Sequence, residues 1–335
     1  MLTARILERT TEPLMVPERP YESSSLNFTT VIREGDVWHM WYKCFDQSYV
    51  DDGTGFFCYA RSIDGMHWER PDLGIVEYNG NRQNNILHDS RNQQGALGHM
   101  VFLDLYAPAN ERFKMLLQRK VEPSPWLQSG RCRYNFAWQV YGAVSGDGIN
   151  WRMLDEPLFP YNSDTQTTIV REPDRYRMYV RMWGTRQGCR FARMVGYTES
   201  NHFGNFLAPT DILRADDVDP DEMDFYTSAA TKLRDDLYVM LPAAFYHRED
   251  VLRPHLAVSR DGVLFTRVGR EPLFDLGAGF DSHCIYVAPG AVPGPRPNTW
   301  WFYYLGHHIG HAIHPDKTHA NGGYGRFLLE LLEDN

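Results

Sequence analysis

The chain has 335 residues, a formal net charge of −9 and 14% aromatic residues. The negative charge argues against nucleic acid and against an anionic membrane surface as partners. The sequence also lacks an apolar run of the roughly eighteen residues that a transmembrane helix needs. Because its N-terminal segment has no apolar signal core, we expect a cytoplasmic protein. The abundance of Trp, Tyr and Phe favours an all-β fold, since aromatic side chains pack well on pleated sheets.

In chain order, residues 1–20 form a Pro- and Glu-rich N-terminal strap that is able to supply a closing strand. After it, strand-like runs separated by turns recur in groups. The predicted strands are 26–33, 37–45, 55–61 and 67–70; 98–105, 113–120, 135–144 and 150–154; 167–171, 176–183 and 194–198; 226–233, 237–246, 255–258 and 265–268; and 284–292, 300–306 and 326–331. The run 327–332 suits a helix equally well, because it is too short to show a diagnostic period.

A short motif, Ser-x-Asp-Gly followed three residues later by an aromatic side chain, recurs along the chain. It occupies residues 62–68, 145–151 and 259–265, with a worn copy at 198–203. Asp-Gly is a strong hairpin signal, because glycine adopts positive φ and the Asp side chain bonds the turn backbone. We therefore predict a structural role for the turn carboxylates Asp64, Asp147 and Asp261.

The repeated groups predict an all-β fold, a five-bladed β-propeller of four-stranded antiparallel blades. We expect a single domain, 1–335, in which each blade is one group of strands. The blades are predicted at approximately 21–75, 95–155, 163–210, 224–270 and 281–332.

The order of strands resembles a known family. An inner strand is followed by a strand rich in Trp and Tyr (38–42, 176–180 and 300–304), then by a third strand and the Ser-x-Asp-Gly turn. This order is similar to that of the five-bladed propeller glycosidases, the furanosidase-like superfamily that includes glycoside hydrolase families 32, 43 and 68 and related phosphorylases. The resemblance covers roughly residues 20–330. It implies carboxylates at the starts of the innermost strands, around the mouth of a central funnel.

Candidate catalytic residues follow from that chemistry, because a glycosidase needs two carboxyl groups flanking the scissile bond. The acidic residues that open inner strands are Asp164, Asp224 and Asp281, with Glu22 as a further candidate in blade one. Asp164 and Asp224 stand at nearly the same distance before Tyr179 and Tyr238 of their second strands. An Asp before a strand also commonly bonds the turn backbone. The acidic motifs that the family carries in blades one and three are absent, so the sequence does not assign acid and base.

Candidate substrate-binding residues lie near these carboxylates in the sequence: Asn27, His99, Arg181, Trp183, Tyr226 and His283. Arg181 interrupts an apolar strand, where a guanidinium group needs a carboxylate partner or a substrate. It belongs to a basic group with Arg171, Arg190 and Arg193. The aromatic residues Trp41, Trp183, Tyr226 and Tyr286 are candidates for stacking on a sugar, although core packing is the usual role of such residues.

Metals and cofactors have little support in the sequence. Five histidines crowd the C-terminal region, His307, His308, His311, His314 and His319, but their spacing matches no closed zinc site. The cysteines Cys44, Cys58, Cys132, Cys189 and Cys284 are scattered and are predicted to be buried free thiols. We predict no cofactor and no catalytic metal; the resemblance allows a structural calcium ion at the pore.

The sequence thus favours an exo-acting glycoside hydrolase on a furanoside or small oligosaccharide, with a small-molecule carbohydrate as its partner. One alternative is a glycoside phosphorylase, which needs one acid and a cationic phosphate cradle formed by the arginines and histidines. Another is a non-catalytic propeller that binds glycan or protein, since fold does not settle function. The sugar, the linkage and the oligomeric state stay open.

Overall fold

The computed structural model describes residues 2–48, 54–92, 97–122, 137–164, 166–186, 189–312 and 321–333. These residues form 24 β-strands and three short 3₁₀ turns, Pro20–Glu22, Ser90–Asn92 and Ala109–Glu111. The prediction of an all-β fold is therefore confirmed. Within the described residues, no helix is long and apolar enough to cross a membrane.

Sixteen strands form four separate antiparallel sheets of four strands each. Sheet 1 contains β2 (Ser25–Glu34), β3 (Val37–Phe45), β4 (Phe56–Ser62) and β5 (Ile86–Asp89). Sheet 2 contains β6 (Leu97–Leu103), β7 (Phe113–Val121), β8 (Ala137–Ser145) and β9 (Arg152–Asn162). Sheet 3 contains β10 (Thr168–Arg171), β11 (Tyr176–Arg186), β12 (Cys189–Ser200) and β13 (Thr210–Leu213). Sheet 4 contains β15 (Ala230–Arg234), β16 (Leu237–Met240), β19 (Ala257–Ser259) and β20 (Thr266–Arg267).

The other eight strands form one larger, curled sheet. Its strands are, in order of pairing, β1 (Leu2–Arg9), β24 (Gly323–Glu333), β23 (Thr299–His307), β21 (Cys284–Val287), β18 (Val251–Pro254), β17 (Ala243–Tyr246) and β14 (Met223–Phe225), with β22 (Val292–Pro293) beside β23. The N-terminal strap supplies the closing strand β1, as the sequence suggested. The run 327–332 lies in strand β24 and not in a helix.

The structure corrects the predicted number of blades. It shows four four-stranded blades, not five, because the strands predicted for blade five belong to the eight-stranded sheet. A single parallel pairing between Leu252 and Cys284 joins that region to the β17–β18 hairpin. The sequence could not show this link, since one pairing between distant segments leaves no local pattern.

Two predicted strands also differ. Residues 67–70 form only one isolated bridge, Arg61 with Glu69, and β5 is the fourth strand of sheet 1. The run predicted at 237–246 divides around Pro242, whose ring nitrogen cannot donate a hydrogen bond. Its first half is β16 of sheet 4, and its second half is β17 of the eight-stranded sheet.

The sheets are arranged in a ring, and neighbouring sheets share clusters of buried apolar side chains. Trp41 and Phe57 of sheet 1, for example, pack with Phe113 and Met115 of sheet 2. Equivalent clusters join sheets 2 and 3, sheets 3 and 4, sheet 4 and the eight-stranded sheet, and that sheet and sheet 1. The ring is thus held together mainly by apolar burial between adjacent sheets.

The repeated Ser-x-Asp-Gly motif forms the same hairpin each time. In the copy at 259–265, the Oδ1 atom of Asp261 accepts hydrogen bonds from two backbone N–H groups, and Gly262 has a φ of +73°. The carbonyl of Gly262 then accepts a hydrogen bond of 2.8 Å from Tyr179 of sheet 3. The copies in sheets 2 and 1 receive equivalent bonds from Trp41 and Tyr303. The predicted structural role of the turns is confirmed, and each turn also contacts a neighbouring sheet.

Residues of the first strands of the four sheets, β2, β6, β10 and β15, together with residues 289–293, line one largely apolar cavity of about 510 Å³, which we call the channel. Outside this lining, Thr168 at the start of β10 and Ser228 before β15 bond each other across sheets 3 and 4 at 3.0 Å. We call this end of the channel the mouth.

Candidate active site at the mouth

Strands β11 and β12 place two arginines and a tryptophan on one face. Arg181 and Trp183 are two residues apart on β11 and therefore point to the same side. Trp183 lies directly opposite Arg193 on β12 in the antiparallel register. The alternation of the two strands thus gathers Arg181, Trp183 and Arg193 at the mouth.

Asp164 approaches this face from the segment before β10. Its Oδ1 atom accepts a hydrogen bond of 2.7 Å from Nη1 of Arg181, whose side chain is only 2% exposed. Arg181 also donates to the carbonyl oxygen of Tyr226 at 2.6 Å and lies 3.8 Å above the Tyr226 ring. Because the Asp164 side chain is 32% exposed, it remains accessible to a ligand.

Asp224 on β14 approaches from the neighbouring side and is almost fully enclosed, with its side chain 1% exposed. Its Oδ2 atom accepts hydrogen bonds from the backbone N–H of Arg193 at 3.0 Å and from Nη1 of the same residue at 3.2 Å. The Arg193 guanidinium group packs between Trp183 and Tyr226, at 4.9 and 5.0 Å from the ring centroids. Tyr226 therefore contacts the arginine partners of both carboxylates.

His247 completes the surroundings of Asp224. It follows β17, whose Phe245 pairs with Asp224, and its Nε2 atom lies 3.1 Å from Oδ2 of Asp224. Burial alone would raise the pKa of Asp224, but His247 and the charge of Arg193 hold that pKa below its ordinary value. The carboxyl group is therefore ionised at neutral pH.

The other oxygen of Asp224, Oδ1, is buried and has no hydrogen-bond partner among the described residues. A buried carboxylate oxygen without a partner is costly, by about 1–3 kcal/mol or more. The working protein is therefore expected to offer this atom a water molecule or a substrate hydroxyl group.

Comparisons with known proteins show which solved structures share this fold. No protein-family model and no curated protein matches the sequence. A solved structure described as a glycoside hydrolase aligns with 98% of this chain and 93% of its own, with a TM-score of 0.66 and 14% identity. A mutant β-fructofuranosidase of glycoside hydrolase family 32 from Bombyx mori, in complex with sucrose, aligns with 94% of this chain and 61% of its own, with a TM-score of 0.61 and 11% identity.

The chain has the fold of the propeller glycosidases. The resemblance drawn from the order of strands is thereby confirmed at the level of the fold. A third similar structure represents glycoside hydrolase family 130, described as mannoside phosphorylases that include hydrolases of β-1,2 mannosidic linkages in Candida mannan. It aligns with 95% of this chain and 92% of its own, with a TM-score of 0.57 and 15% identity.

Within this propeller glycosidase fold, Asp281 does not join the pair formed by Asp164 and Asp224. Its carboxylate is buried, and it bonds to the guanidinium group of Arg9 and, at 2.9 Å, to the hydroxyl of Tyr304. These contacts fasten the closing strand β1 to the segment before β21. The structure therefore gives Asp281 a structural setting.

Glu22 is also separate from the pair. It is fully buried, accepts hydrogen bonds from Tyr42 at 2.6 Å and from Arg70 at 2.9 Å, and is bonded to the backbone N–H groups of Glu18 and Arg19. Both carboxylate oxygens of Glu22 bond to groups inside the protein, so a substrate cannot reach them. Glu22 therefore lies outside the proposed site.

The remaining predicted binding residues differ in their surroundings. Asn27 bonds the backbone N–H of Phe28 with its own side chain. His99 is 2% exposed, and burial together with the charge of Lys43 lowers its pKa to about 3. His283 is exposed and contacts Ser282. None of the three has a described contact with Asp164 or Asp224.

The C-terminal histidines are not arranged as a metal site in the described part of the chain, where no group of three or more His, Cys, Asp or Glu side chains could hold an ion. His311 instead bonds the hydroxyl of Tyr286 at 2.8 Å and lies 4.4 Å from the Tyr226 ring. Burial and the charges of Arg193 and Arg181 lower its pKa to about 3, so it stays neutral. Three other candidates, His314, His319 and the side chain of Arg190, lie outside the described residues.

His247 is the site residue that the sequence did not reveal. Its proximity to Asp224 depends on the pairing of β14 with β17, and the sequence predicted the second of these strands as part of one continuous run, 237–246. The break at Pro242 was the available signal, because proline rarely occurs inside a central strand. That break would have separated Phe245 and His247 from sheet 4.

Proposed function

We propose that this protein is an exo-acting glycoside hydrolase that cleaves a furanoside or small oligosaccharide at the mouth of the propeller. The observation that supports it is the pair of carboxylates, Asp164 and Asp224, gathered around one aromatic ring, Tyr226. Glycoside hydrolysis requires two such groups on either side of the scissile bond. The names of the similar structures, which include a β-fructofuranosidase, support the same reaction class.

The two carboxylates have different surroundings, as that chemistry demands. Asp224 is enclosed and ionised, and its free Oδ1 is a place for a hydroxyl group or water. Asp164 is one-third exposed and faces the entrance. Trp183 and Tyr226 are the aromatic surfaces beside them on which a sugar ring can stack.

Exo action is supported by the floor of the mouth. The side chain of Gln166 crosses from the segment before β10 and donates a hydrogen bond of 3.3 Å to the carbonyl of Val287 on β21. Sheet 4 lies between these two elements in the ring, so this hydrogen bond links sheets that are not adjacent. A contact of this kind narrows the mouth, which favours the end of a glycan over its middle.

One observation favours phosphorolysis as a second candidate. Arg181 and Arg193 lie side by side over Tyr226, and Nε of Arg193 has no partner among the described residues. A pair of guanidinium groups is well suited to an inorganic phosphate. One of the similar structures also represents a family described as mannoside phosphorylases.

The proposed function is tested by offering the protein aryl arabinofuranoside, fructofuranoside, xyloside and galactofuranoside, with and without phosphate. We expect chromophore release from at least one of them, and its near-complete loss in Asp164→Asn and in Asp224→Asn. Release that requires phosphate would identify a phosphorylase. Wild-type protein that releases nothing, or variants that turn over at the wild-type rate, would contradict the proposal.

A further inference from the structure

The mouth has two carboxylates, but both face arginines. Asp164 is paired with Arg181, and Asp224 is paired with Arg193. A glycosidase must also deliver a proton to the oxygen of the leaving group, and that donor has to carry the proton at the working pH. The pKa of Asp224 is held below its ordinary value by His247 and the charge of Arg193, so Asp224 is a poor carrier of that proton.

His247 has the position for this step. The His247 side chain is 33% exposed, whereas the Asp224 side chain beside it is 1% exposed. The imidazole ring packs against Phe245, with the ring centroids 4.2 Å apart. The backbone N–H of His247 is fixed to the carbonyl of Glu222 at 3.0 Å. Nε2 faces Asp224, and Nδ1 makes no hydrogen bond with any described residue. One ring nitrogen thus lies 3.1 Å from the Asp224 carboxylate, and the side chain as a whole is partly exposed.

We infer that His247 is the general acid of the proposed glycosidase, with Asp224 as the residue that positions it. This assignment rests on the proposed function. A carboxylate beside one nitrogen of an imidazole favours one orientation of the ring, as in the triads of hydrolases. Asp224 thereby acts through His247, and Asp164 is left as the carboxylate that faces the substrate.

Cleavage of the glycosidic bond in this way consumes only water. The bond between the anomeric carbon and the leaving oxygen breaks, and its electron pair goes to that oxygen, which takes the proton from Nδ1 of His247. Water bonds to the anomeric carbon and gives a proton to the Asp164 carboxylate. Exchange with solvent then removes that proton from Asp164 and restores the proton on His247.

The assignment is tested by changing the leaving group. A 2,4-dinitrophenolate departs without a proton, whereas an alkoxide needs a proton in order to leave. We compare the 2,4-dinitrophenyl and the methyl glycoside of the sugar that the wild type accepts. For His247→Gln, kcat/KM on the methyl glycoside should fall by about 10²–10⁴-fold, the usual contribution of a general acid. The rate on the dinitrophenyl glycoside should change little.

Asp164→Asn is the contrasting variant and should lose both rates, because water activation is needed for either substrate. His202→Gln, at an exposed histidine outside the mouth, is the matched control and should keep both. The assignment would be overturned if His247→Gln lost equal activity on the two substrates. It would also be overturned if Asp164→Asn, instead of His247→Gln, lost activity on the methyl glycoside alone. A wild type that is inactive on every glycoside would refute the proposed function itself.

Discussion

Single residues join the sheets of this ring. The Ser-x-Asp-Gly turn brings its glycine carbonyl to the surface of the hairpin, and an aromatic residue on a strand of the adjacent sheet donates a hydrogen bond to it. The positive φ of the glycine is what turns that carbonyl outward. A pattern readable in a local stretch of sequence thus produces a contact between distant segments.

The bond from Tyr179 to Gly262 is the clearest case for a measurement. Tyr179 is fully buried, and the carbonyl of Gly262 accepts no other described hydrogen bond. We expect Tyr179→Phe to lower the free energy of unfolding by about 1–3 kcal/mol, because a buried carbonyl loses its donor. Urea unfolding measures the change. Tyr106→Phe, at an exposed tyrosine whose hydroxyl makes no described bond, is the control; equal effects of the two variants would contradict the expectation.

The site residues show what the sequence could and could not predict at this scale. Asp164, Asp224, Arg181, Trp183 and Tyr226 were singled out from the sequence, and the structure brings these five together. Their catalytic and binding roles stay predictions. The acidic residues Asp281 and Glu22 had the same local pattern, a carboxylate before a strand. Only the tertiary partners, Arg9 for one and Arg70 for the other, distinguish them from the pair at the mouth.

At the level of elements, strands were easier to predict than their partners. The runs rich in Trp and Tyr mark β3, β11 and β23 clearly in the sequence. The hairpin β17–β18 and the short strand β14 were not recognised, since each has only three or four residues. Their pairing is nevertheless what carries Asp224 and His247 to the mouth.

The link between β1 and the segment before β21 provides a test of Asp281. Arg9→Met leaves a buried carboxylate with Tyr304 as its remaining described partner. We expect a loss of about 3 kcal/mol in unfolding free energy, the lower end for a broken buried pair because Arg9 is partly exposed. The double variant Arg9→Met, Asp281→Asn should recover part of that loss, since it removes the unpaired charge.

Activity in the same variants separates the two roles of Asp281. If its function is structural, the folded double variant turns over at nearly the wild-type rate. Loss of turnover in Asp281→Asn with an unchanged unfolding free energy would instead return this carboxylate to the catalytic set. Glycoside turnover and urea unfolding, measured on the same preparations, decide between these outcomes.

At the level of the whole molecule, the ring closes through the eight-stranded sheet. Five apolar clusters fill the spaces between consecutive sheets, so every sheet is packed on both sides. The turn repeats and the strand order were sufficient to predict a propeller ring. They were not sufficient to predict four blades and one larger sheet, because the fusion depends on a single long-range pairing.

Closure of that sheet depends on strand β1, which pairs with β24 along its length. Deleting residues 2–9 would expose the edge of an eleven-residue strand, and an unpaired edge is a template for association. We expect a lower unfolding free energy than Arg9→Met alone produces, because the backbone bonds are lost along with the ion pair. We also expect oligomers in size-exclusion chromatography. A synthetic peptide of residues 2–9 should restore the monomer, and a scrambled peptide should not; a deletion variant that stays monomeric with wild-type stability would show that the ring closes without β1.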